Sequence, residues 1–189
     1  NFKVGDNVVV SGTGPIGLSA IQFLKAAGAN KIIALGTSPS KYPTLKKYGA
    51  DYCLNPKELG DKLGDEIRKI CGNPVGADVV FGCAGNMNSL CNCINYCIKP
   101  GGQVVVIGTI QEPMGDLVPG SFSIHEPELK FTFVYTADEV RMYLEMLAAG
   151  KVEFPGMVTD VIPLTDCVEK ALDRKDRTGM LKILIDPSL

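Results

Sequence analysis

Short apolar runs alternate with amphipathic stretches between residues 8 and 107. The runs are rich in valine and isoleucine, as expected for strands that are buried on both faces. The stretches between them place apolar residues three or four positions apart, which predicts helices. Because strand and helix alternate, the order predicts an α/β fold with a doubly wound parallel sheet. The predicted strands are Val8–Val10, Lys31–Leu35, Asp51–Leu54, Ala77–Cys83 and Gln103–Ile107.

The predicted helices differ in how clearly their ends are marked. The first two, at 15–27 and 42–48, have proline near the start and glycine just after the end, as helices favour. Spacing predicts a third helix that ends at Gly72 and a fourth that ends before Lys99. Their apolar faces are Leu59, Leu63, Ile67 and Ile70 in the third, and Leu90, Ile94, Cys97 and Ile98 in the fourth.

Residues 1–150 are predicted to form one domain, followed by a short C-terminal extension over 151–189. A capping box, Thr136-Ala137-Asp138-Glu139, predicts the start of the domain's last helix. The extension is predicted to hold an extended segment at 158–163, a short helix near Val168 and a strand at 181–185. The inward face of the last helix of the domain is predicted to be Val140, Tyr143, Leu144 and Leu147.

A glycine-rich sequence, Gly12-Thr13-Gly14-Pro15-Ile16-Gly17, joins the first strand to the first helix. Between a strand and a helix, the G-x-G-x-x-G spacing predicts a dinucleotide site. Gly12 allows the tight turn, Gly14 lets the backbone approach a pyrophosphate, and Gly17 lets the helix pack closely on the strand. The free N–H groups and the positive dipole end of the helix would then face the phosphates.

The end of the second strand bears on the choice between NAD and NADP. Sites that prefer NAD place Asp or Glu there, where the carboxylate binds the ribose hydroxyls and repels a 2′-phosphate. In this chain Gly36 takes that place, Thr37 and Ser38 follow, and Lys41 is within reach. We therefore expect NADP or NAD, with NADP favoured only slightly because no arginine is near to bind the phosphate bidentately. The alternative is a plain glycine turn beside a solvated lysine.

Composition narrows the function classes. A net charge of −2 without a basic run offers no electrostatic footprint for nucleic acid, and no apolar run approaches the ~20 residues that span a bilayer. Seven cysteines in an α/β pattern favour reduced thiols and a cytoplasmic protein. The single histidine, His125, is predicted to lie in a solvated loop, and the cysteines lack the C-x-x-C spacing of a zinc site. We therefore expect no metal site and no catalytic residue in this chain.

Several motifs together resemble the medium-chain, zinc-containing alcohol dehydrogenases. They are Phe2-Lys3-Val4-Gly5-Asp6, the glycine-rich sequence, Tyr48-Gly49-Ala50-Asp51 and Lys99-Pro100-Gly101-Gly102. Tyr135-Thr136 and the helix after it resemble the polyol and butanediol branch of that family. The resemblance covers the cofactor-binding half of a family member, a Rossmann fold, and its C-terminal return onto the catalytic domain. It implies hydride transfer between nicotinamide and an alcohol or carbonyl substrate, a homo-oligomer, and a catalytic zinc held by a domain N-terminal to Phe2.

The resemblance also implies contacts between this chain and the cofactor. Residues 14–17 would hold the pyrophosphate with Ile16 beneath the cofactor, and Gly36, Thr37 and Lys41 would lie at the adenosine ribose. The remaining implied contacts are Cys83 and Ala84 on the adenosine side, Ile107, Gly108 and Thr109 at the nicotinamide, Thr132, Phe133 and Val134 at the carboxamide, and Lys182 at the pyrophosphate.

Two function classes follow from these observations. The chain is the cofactor-binding portion of a zinc-type NAD(P)-dependent alcohol or polyol dehydrogenase, inactive alone, or it is a stand-alone nucleotide-binding or sensing module. A methyltransferase is a third possibility, but it would usually need an acid after the second strand to bind ribose, where this chain has Gly36.

Overall fold

The computed structural model of the chain describes residues 2–113, 119–176 and 179–189. The chain divides into two compact units, the first ending at Val152 and the second spanning Glu153–Leu189. Each unit is described by itself.

A six-stranded parallel sheet forms the centre of the first unit, in the order β3-β2-β1-β4-β5-β6. The chain starts in the middle of the sheet, winds to one edge and then returns to build the other half, so the strand order reverses between β1 and β4. The predicted doubly wound α/β fold is confirmed. The strands are β1 Asn7–Ser11, β2 Lys31–Leu35, β3 Tyr52–Leu54, β4 Ala77–Gly82, β5 Ile98–Val106 and β6 Glu128–Phe131.

Helices connect the strands of the first unit. The valine and isoleucine side chains of the central strands are buried, as their apolar runs predict, and β1 is buried along its whole length. Val9, Ile33 and Val80 belong to one core together with Leu63 and Ile67 of the helix before β4. The helices are α1 Pro15–Ala26, α2 Tyr42–Lys47, α3 Pro56–Leu59, α4 Leu63–Cys71, α5 Met87–Asn92, α6 Pro119–His125 and α7 Ala137–Ala148.

The predicted third helix is two helices in the structure. Leu59 ends α3, a 3₁₀ turn occupies Gly60–Lys62, and Leu63 begins α4. Gly60 has a φ of +51°, outside the helical region, and this conformation breaks the continuous apolar spacing into two elements. The prediction of a single helix through Leu59 was therefore wrong.

The predicted fourth helix ends earlier than its apolar spacing suggests. α5 is followed by a π-helical turn at Cys93–Cys97, and Ile98 is extended, with φ −82° and ψ 143°. Ile98 pairs with Ala77 at the start of β5, and the ladder resumes only at Gln103, so Lys99–Gly102 bulge out of it. Ile98 is buried as predicted, but in a strand rather than on a helix.

Two elements after β5 were not predicted from the sequence. They are α6, whose last residue is His125, and β6, so the predicted loop position of His125 was wrong. The capping box of α7 is confirmed, since the Thr136 hydroxyl accepts the N–H of Glu139 at 3.3 Å.

The predicted inward face of α7 is not buried. Leu144 is 54% exposed and Leu147 is 40% exposed, and no side chain of this helix is buried by the residues that the structure describes. One contact of the helix is the packing of the Tyr143 ring on Phe23, with 6.1 Å between centroids. Apolar spacing identifies the apolar side of a helix, but it does not say what covers that side.

The second unit is built on two parallel strands, β7 Val158–Pro163 and β8 Lys182–Asp186. The Thr159 hydroxyl donates to the carbonyl oxygen of Lys182 at 3.2 Å, and Arg174 forms an ion pair with Asp160 at 3.3 Å. Both extended segments were predicted. The predicted short helix is a 3₁₀ turn at Leu164–Asp166 followed by a π-helical turn at Val168–Leu172.

Candidate cofactor site

The glycine-rich loop lies directly against the end of β4. Gly12 has a φ of +115°, and its N–H donates to the carbonyl oxygen of Leu35 at 3.0 Å. A Cβ at Gly12 would lie 2.7 Å from the backbone nitrogen of Ala84 and 2.8 Å from the carbonyl carbon of Cys83. Only glycine therefore allows the loop to approach the neighbouring strand end this closely.

The other two glycines of the loop have opposite surroundings. A Cβ at Gly17 would lie 1.9 Å from the carbonyl oxygen of Gly12, so α1 packs as close to the turn as its backbone permits. A Cβ at Gly14 would meet nothing within 4 Å. Gly14 is extended, with φ −84° and ψ −173°, and its backbone borders open space at the start of α1.

The first turn of α1 has the properties of an anion site. Pro15 is its first residue, no side chain caps this end, and the turn contains no acidic residue, within the part of the chain that the structure describes. The backbone N–H groups of a first helical turn have no partner inside the helix, and the helix dipole places positive charge beside them. Ile16, in the same turn, is 53% exposed.

A cleft of about 700 Å³ opens beside this turn, at the ends of β1, β2 and β4. In open α/β sheets, ligands bind at the carboxyl ends of the strands where the strand order reverses, and this cleft lies at such a point. Of the residues predicted for the site, those lining the cleft are Gly12, Gly14, Gly36, Thr37, Cys83 and Ala84.

Several predicted residues lie beside the cleft rather than in its lining. Ser38 precedes a 3₁₀ turn that ends at Lys41, and neither side chain belongs to the described lining of the cleft. Pro15, Ile16 and Gly17 form the adjoining first turn of α1. Lys182 is not part of this unit, because it begins β8 in the second unit.

The loop after β5 continues the row of strand ends. The N–H groups of Ile107 and Gly108 both donate to the carbonyl oxygen of Gly82 at 2.9 Å. A Cβ at Gly108 would lie 2.4 Å from the backbone nitrogen of Gly85, which places the ends of β4 and β5 in close contact. Thr109 follows, with its carbonyl oxygen 3.1 Å from the position of a Cβ at Gly85.

The segment after β6 lies at the same edge of the sheet. The N–H of Thr132 donates to the carbonyl oxygen of Val106 at 3.1 Å, so this segment starts beside the end of β5. Phe133 is 83% exposed, and Val134 is 75% exposed with a φ of +57°. Positive φ is rare for a β-branched residue and costs of order 1–3 kcal/mol.

Some lining residues were missed from the sequence. Lys57 and Asp61 enter the cleft from the segment after β3, and the Tyr96 hydroxyl lies 3.4 Å from the Asp61 carboxylate. Further polar residues come from α5 and the turn before it: Asn86, Asn88, Ser89 and Asn92. Loops that follow parallel strands all lie at one edge of the sheet, and this rule could have assigned Lys57 to the site.

Two thiols lie at and below the floor of the cleft. Burial raises the pKa of Cys83 and the pKa of Cys93 to about 12. The hydroxyls of Ser11 and Ser89 lie 2.8 Å apart, and both bond to the Cys93 thiol, which opposes part of that rise in its pKa. Thiols that are neutral at physiological pH are poor nucleophiles, so this floor supports packing rather than covalent chemistry.

Comparison with known proteins agrees with this geometry. Residues 15–149 match the zinc-binding dehydrogenase family. The chain belongs to this family. A protein described as D-xylulose reductase A, from Arthroderma otae, is 30% identical over 97% of this chain and 51% of its own length. S-(hydroxymethyl)glutathione dehydrogenase of Haemophilus influenzae is 38% identical over 55% of this chain and 27% of its own length.

Solved structures of zinc-binding dehydrogenases share the fold. 2R,3R-butanediol dehydrogenase from Bacillus subtilis has a TM-score of 0.84 and 30% identity, over 99% of this chain and 52% of that one. A protein described as a zinc-binding dehydrogenase from Sinorhizobium meliloti 1021, bound to NADP, has a TM-score of 0.85 and 26% identity, over 98% and 53% of the two chains. The chain thus spans about half the length of these structures and corresponds to the cofactor-binding portion of the family.

The family name implies a zinc ion, and the residues that the structure describes do not fit one. Among residues 2–113, 119–176 and 179–189, no group of three or more His, Cys, Asp or Glu side chains could hold a metal ion. All seven cysteines are free thiols. None of the helices in those ranges combines the length and the apolarity that crossing a membrane requires.

Proposed function

We propose that this chain is the dinucleotide-binding portion of a zinc-type NAD(P)-dependent alcohol or polyol dehydrogenase. The observation that supports this most directly is the open space at Gly14, where the backbone borders the cleft beside the uncapped first turn of α1. The related protein from Sinorhizobium meliloti was solved bound to NADP, which supports a dinucleotide as the ligand of this cleft.

The strand ends suggest how the cofactor lies in the site. The first turn of α1 would bind the pyrophosphate through its N–H groups, and Thr37 and Lys57 would lie on the adenosine side. The nicotinamide would extend past Gly108 toward Thr132. When bound, the nicotinamide ring supplies the carbon that accepts or donates hydride, and the protein residues bind and orient it.

Two charged side chains in the cleft bear on the choice between NADP and NAD. Lys57 offers a cation to a 2′-phosphate, whereas Asp61 could accept hydrogen bonds from ribose hydroxyls and would repel a phosphate. Because Asp61 opposes the attraction that Lys57 offers to a 2′-phosphate, we propose that any preference for NADP over NAD is no more than a few-fold.

The remaining parts of the function concern the whole enzyme. The names of the D-xylulose reductase and butanediol dehydrogenase relatives support an alcohol or polyol as substrate. We place the catalytic zinc outside these residues, and we expect the whole protein to be a cytoplasmic homo-oligomer.

The test is to titrate this chain with NADP and NAD by calorimetry and to assay it with polyols and either cofactor. We expect saturable binding of both dinucleotides and no turnover, because the described residues provide no zinc site. Failure of both dinucleotides to bind at millimolar concentration would contradict the binding function. Turnover that survives removal of contaminating enzyme would contradict the expectation that the chain is inactive alone.

A further inference from the structure

We propose that Thr13 is a specificity-determining residue, because it prevents residue 36, directly after β2, from carrying a side chain. The inference rests on the proposed function and concerns the adenosine end of the same cleft. A Cβ at Gly36 would lie 2.3 Å from Cγ2 of Thr13 and 2.8 Å from its Oγ1. Both distances are far below van der Waals contact, so an aspartate cannot be placed at Gly36 while Thr13 is present.

Rotation of the Thr13 side chain does not remove the obstruction. A β-branched side chain has two heavy atoms on Cβ, and these occupy two of three staggered positions. Both positions that are now occupied lie within 2.8 Å of the Cβ that residue 36 would carry. Any other staggered rotamer still fills at least one of them. The block therefore belongs to the residue type rather than to one rotamer.

Backbone contacts hold the two residues in place on both sides. The N–H of Gly36 donates to the carbonyl oxygen of Leu54 at 3.0 Å, and the carbonyl oxygen of Gly36 accepts the Tyr42 hydroxyl at 3.0 Å. On the other side, the N–H of Gly12 donates to Leu35 at 3.0 Å and fixes the loop that carries Thr13. These contacts limit how far the backbone at Gly36 and at Gly12 can shift to relieve the clash.

This packing has a consequence for cofactor choice. A carboxylate at the end of the second strand is what excludes a 2′-phosphate from NAD-preferring sites. Thr13 removes that option sterically, although it need not touch the phosphate itself. Gly36 is not among the residues with positive φ, so its backbone accepts other residues and the contact with Thr13 is the obstacle.

The experiment is a double-mutant cycle between residues 13 and 36 of this chain. Gly36→Ala tests the steric clash without charge, Gly36→Asp adds the charge, and each is made with Thr13 and with Thr13→Gly. The readouts are the midpoint of thermal unfolding and the dissociation constants for NADP and NAD by calorimetry. With Thr13 present, we expect Gly36→Ala to lower the midpoint by roughly 2–10 °C, the usual effect of overpacking in a chain of this size.

When Thr13 is replaced with glycine, Gly36→Ala should lower the unfolding midpoint by less than half as much as it does with Thr13 present. In the Thr13→Gly background, Gly36→Asp should raise the ratio of the NADP to the NAD dissociation constant at least tenfold, whereas Gly36→Ala should leave the ratio within about twofold. Equal losses of stability in both backgrounds would overturn the steric coupling. An unchanged ratio in a double variant that still binds both cofactors would overturn the role in specificity.

Failure of the proposed function gives a different result. If the unaltered chain binds neither cofactor, both the proposed function and the specificity role are overturned. The unfolding midpoints still report whether Thr13 and Gly36 are coupled, because that measurement needs no ligand.

Discussion

Replacing Gly14 with valine should weaken dinucleotide binding at least tenfold and leave the fold intact. A Cβ at this position meets nothing within 4 Å, and φ −84° with ψ −173° is a conformation that valine adopts readily. Valine is a poorer residue than glycine at a helix N-cap, so we expect a loss of less than about 1 kcal/mol in the free energy of unfolding. In a chain of this size, that corresponds to at most ~4 °C in the unfolding midpoint.

The loss of affinity follows from distances at the start of α1. A phosphate oxygen must come within about 2.9 Å of a backbone nitrogen to form a charge-assisted hydrogen bond. The methyl groups of valine require about 3.5–4.0 Å to any ligand atom and would hold the pyrophosphate away from the first turn. Losing one such bond costs about 1.5–3 kcal/mol, so the dissociation constant should rise at least tenfold.

Calorimetric titration with NADP, beside thermal unfolding of the same sample, measures both effects. Gly17→Ala is the matched control, since its Cβ would lie 1.9 Å from the carbonyl oxygen of Gly12. That variant should lower the unfolding midpoint by more than Gly14→Val does, because its added Cβ clashes with the backbone and the side chain at Gly14 does not. If Gly14→Val binds NADP as tightly as the unaltered chain does, the cofactor does not cross the start of α1.

Three further predictions concern charge, thiols and helix capping. Lys57→Ala should weaken NADP binding about two- to fivefold at low salt and have little effect at high salt. Lys41→Ala is the control, and it should change the affinity for NADP little because Lys41 does not line the cleft. Equal effects of the two changes would exclude Lys57 as the phosphate contact. Because burial raises the pKa of Cys93 to about 12 from its ordinary value of 9.0, iodoacetamide at pH 8 should leave Cys93 unmodified in the folded chain and modify it after unfolding, as mass spectrometry would show. The raised pKa of Cys93 should also make the free energy of unfolding fall as the pH rises above about 9, since the thiol then ionises in the unfolded chain but not in the folded one. A free energy of unfolding that stays constant up to pH 11 would contradict this. Thr136→Ala should lower the free energy of unfolding by about 1 kcal/mol, because it removes the capping oxygen. Thr136→Ser keeps that oxygen and should lower it much less, when both variants are measured by denaturant titration.

The parts of this fold that the sequence predicts are those determined by neighbouring residues. β2 was predicted with the observed ends because its apolar run contains two isoleucines, is too short for a helix and is bounded by Asn30 and Gly36. The start of α1 at Pro15 and the turn at Gly12 depend on the backbone preferences of proline and glycine, so the residue type alone indicates the local conformation. The capping box before α7 is local in the same way.

The parts that the sequence did not predict depend on packing between distant residues. Ile98 has the right spacing for a helix, but pairing with Ala77 draws it into β5. Lys57 and Asp61 reach the cleft only because the end of β3 lies at the same sheet edge as Gly12. Pattern analysis assigned the phosphate cation to a residue close in sequence to Gly36, whereas the lysine that lines the cleft follows a different strand.

Concentrated solutions of this chain should associate through the β6 end of the sheet. Phe131 is 66% exposed, Phe133 is 83% exposed and Tyr135 is 75% exposed, all within five residues of one another. A net charge of −2 gives only weak electrostatic repulsion between molecules, and added salt screens that repulsion. Light scattering should therefore increase with both protein concentration and ionic strength, and dilution into low salt should reverse it.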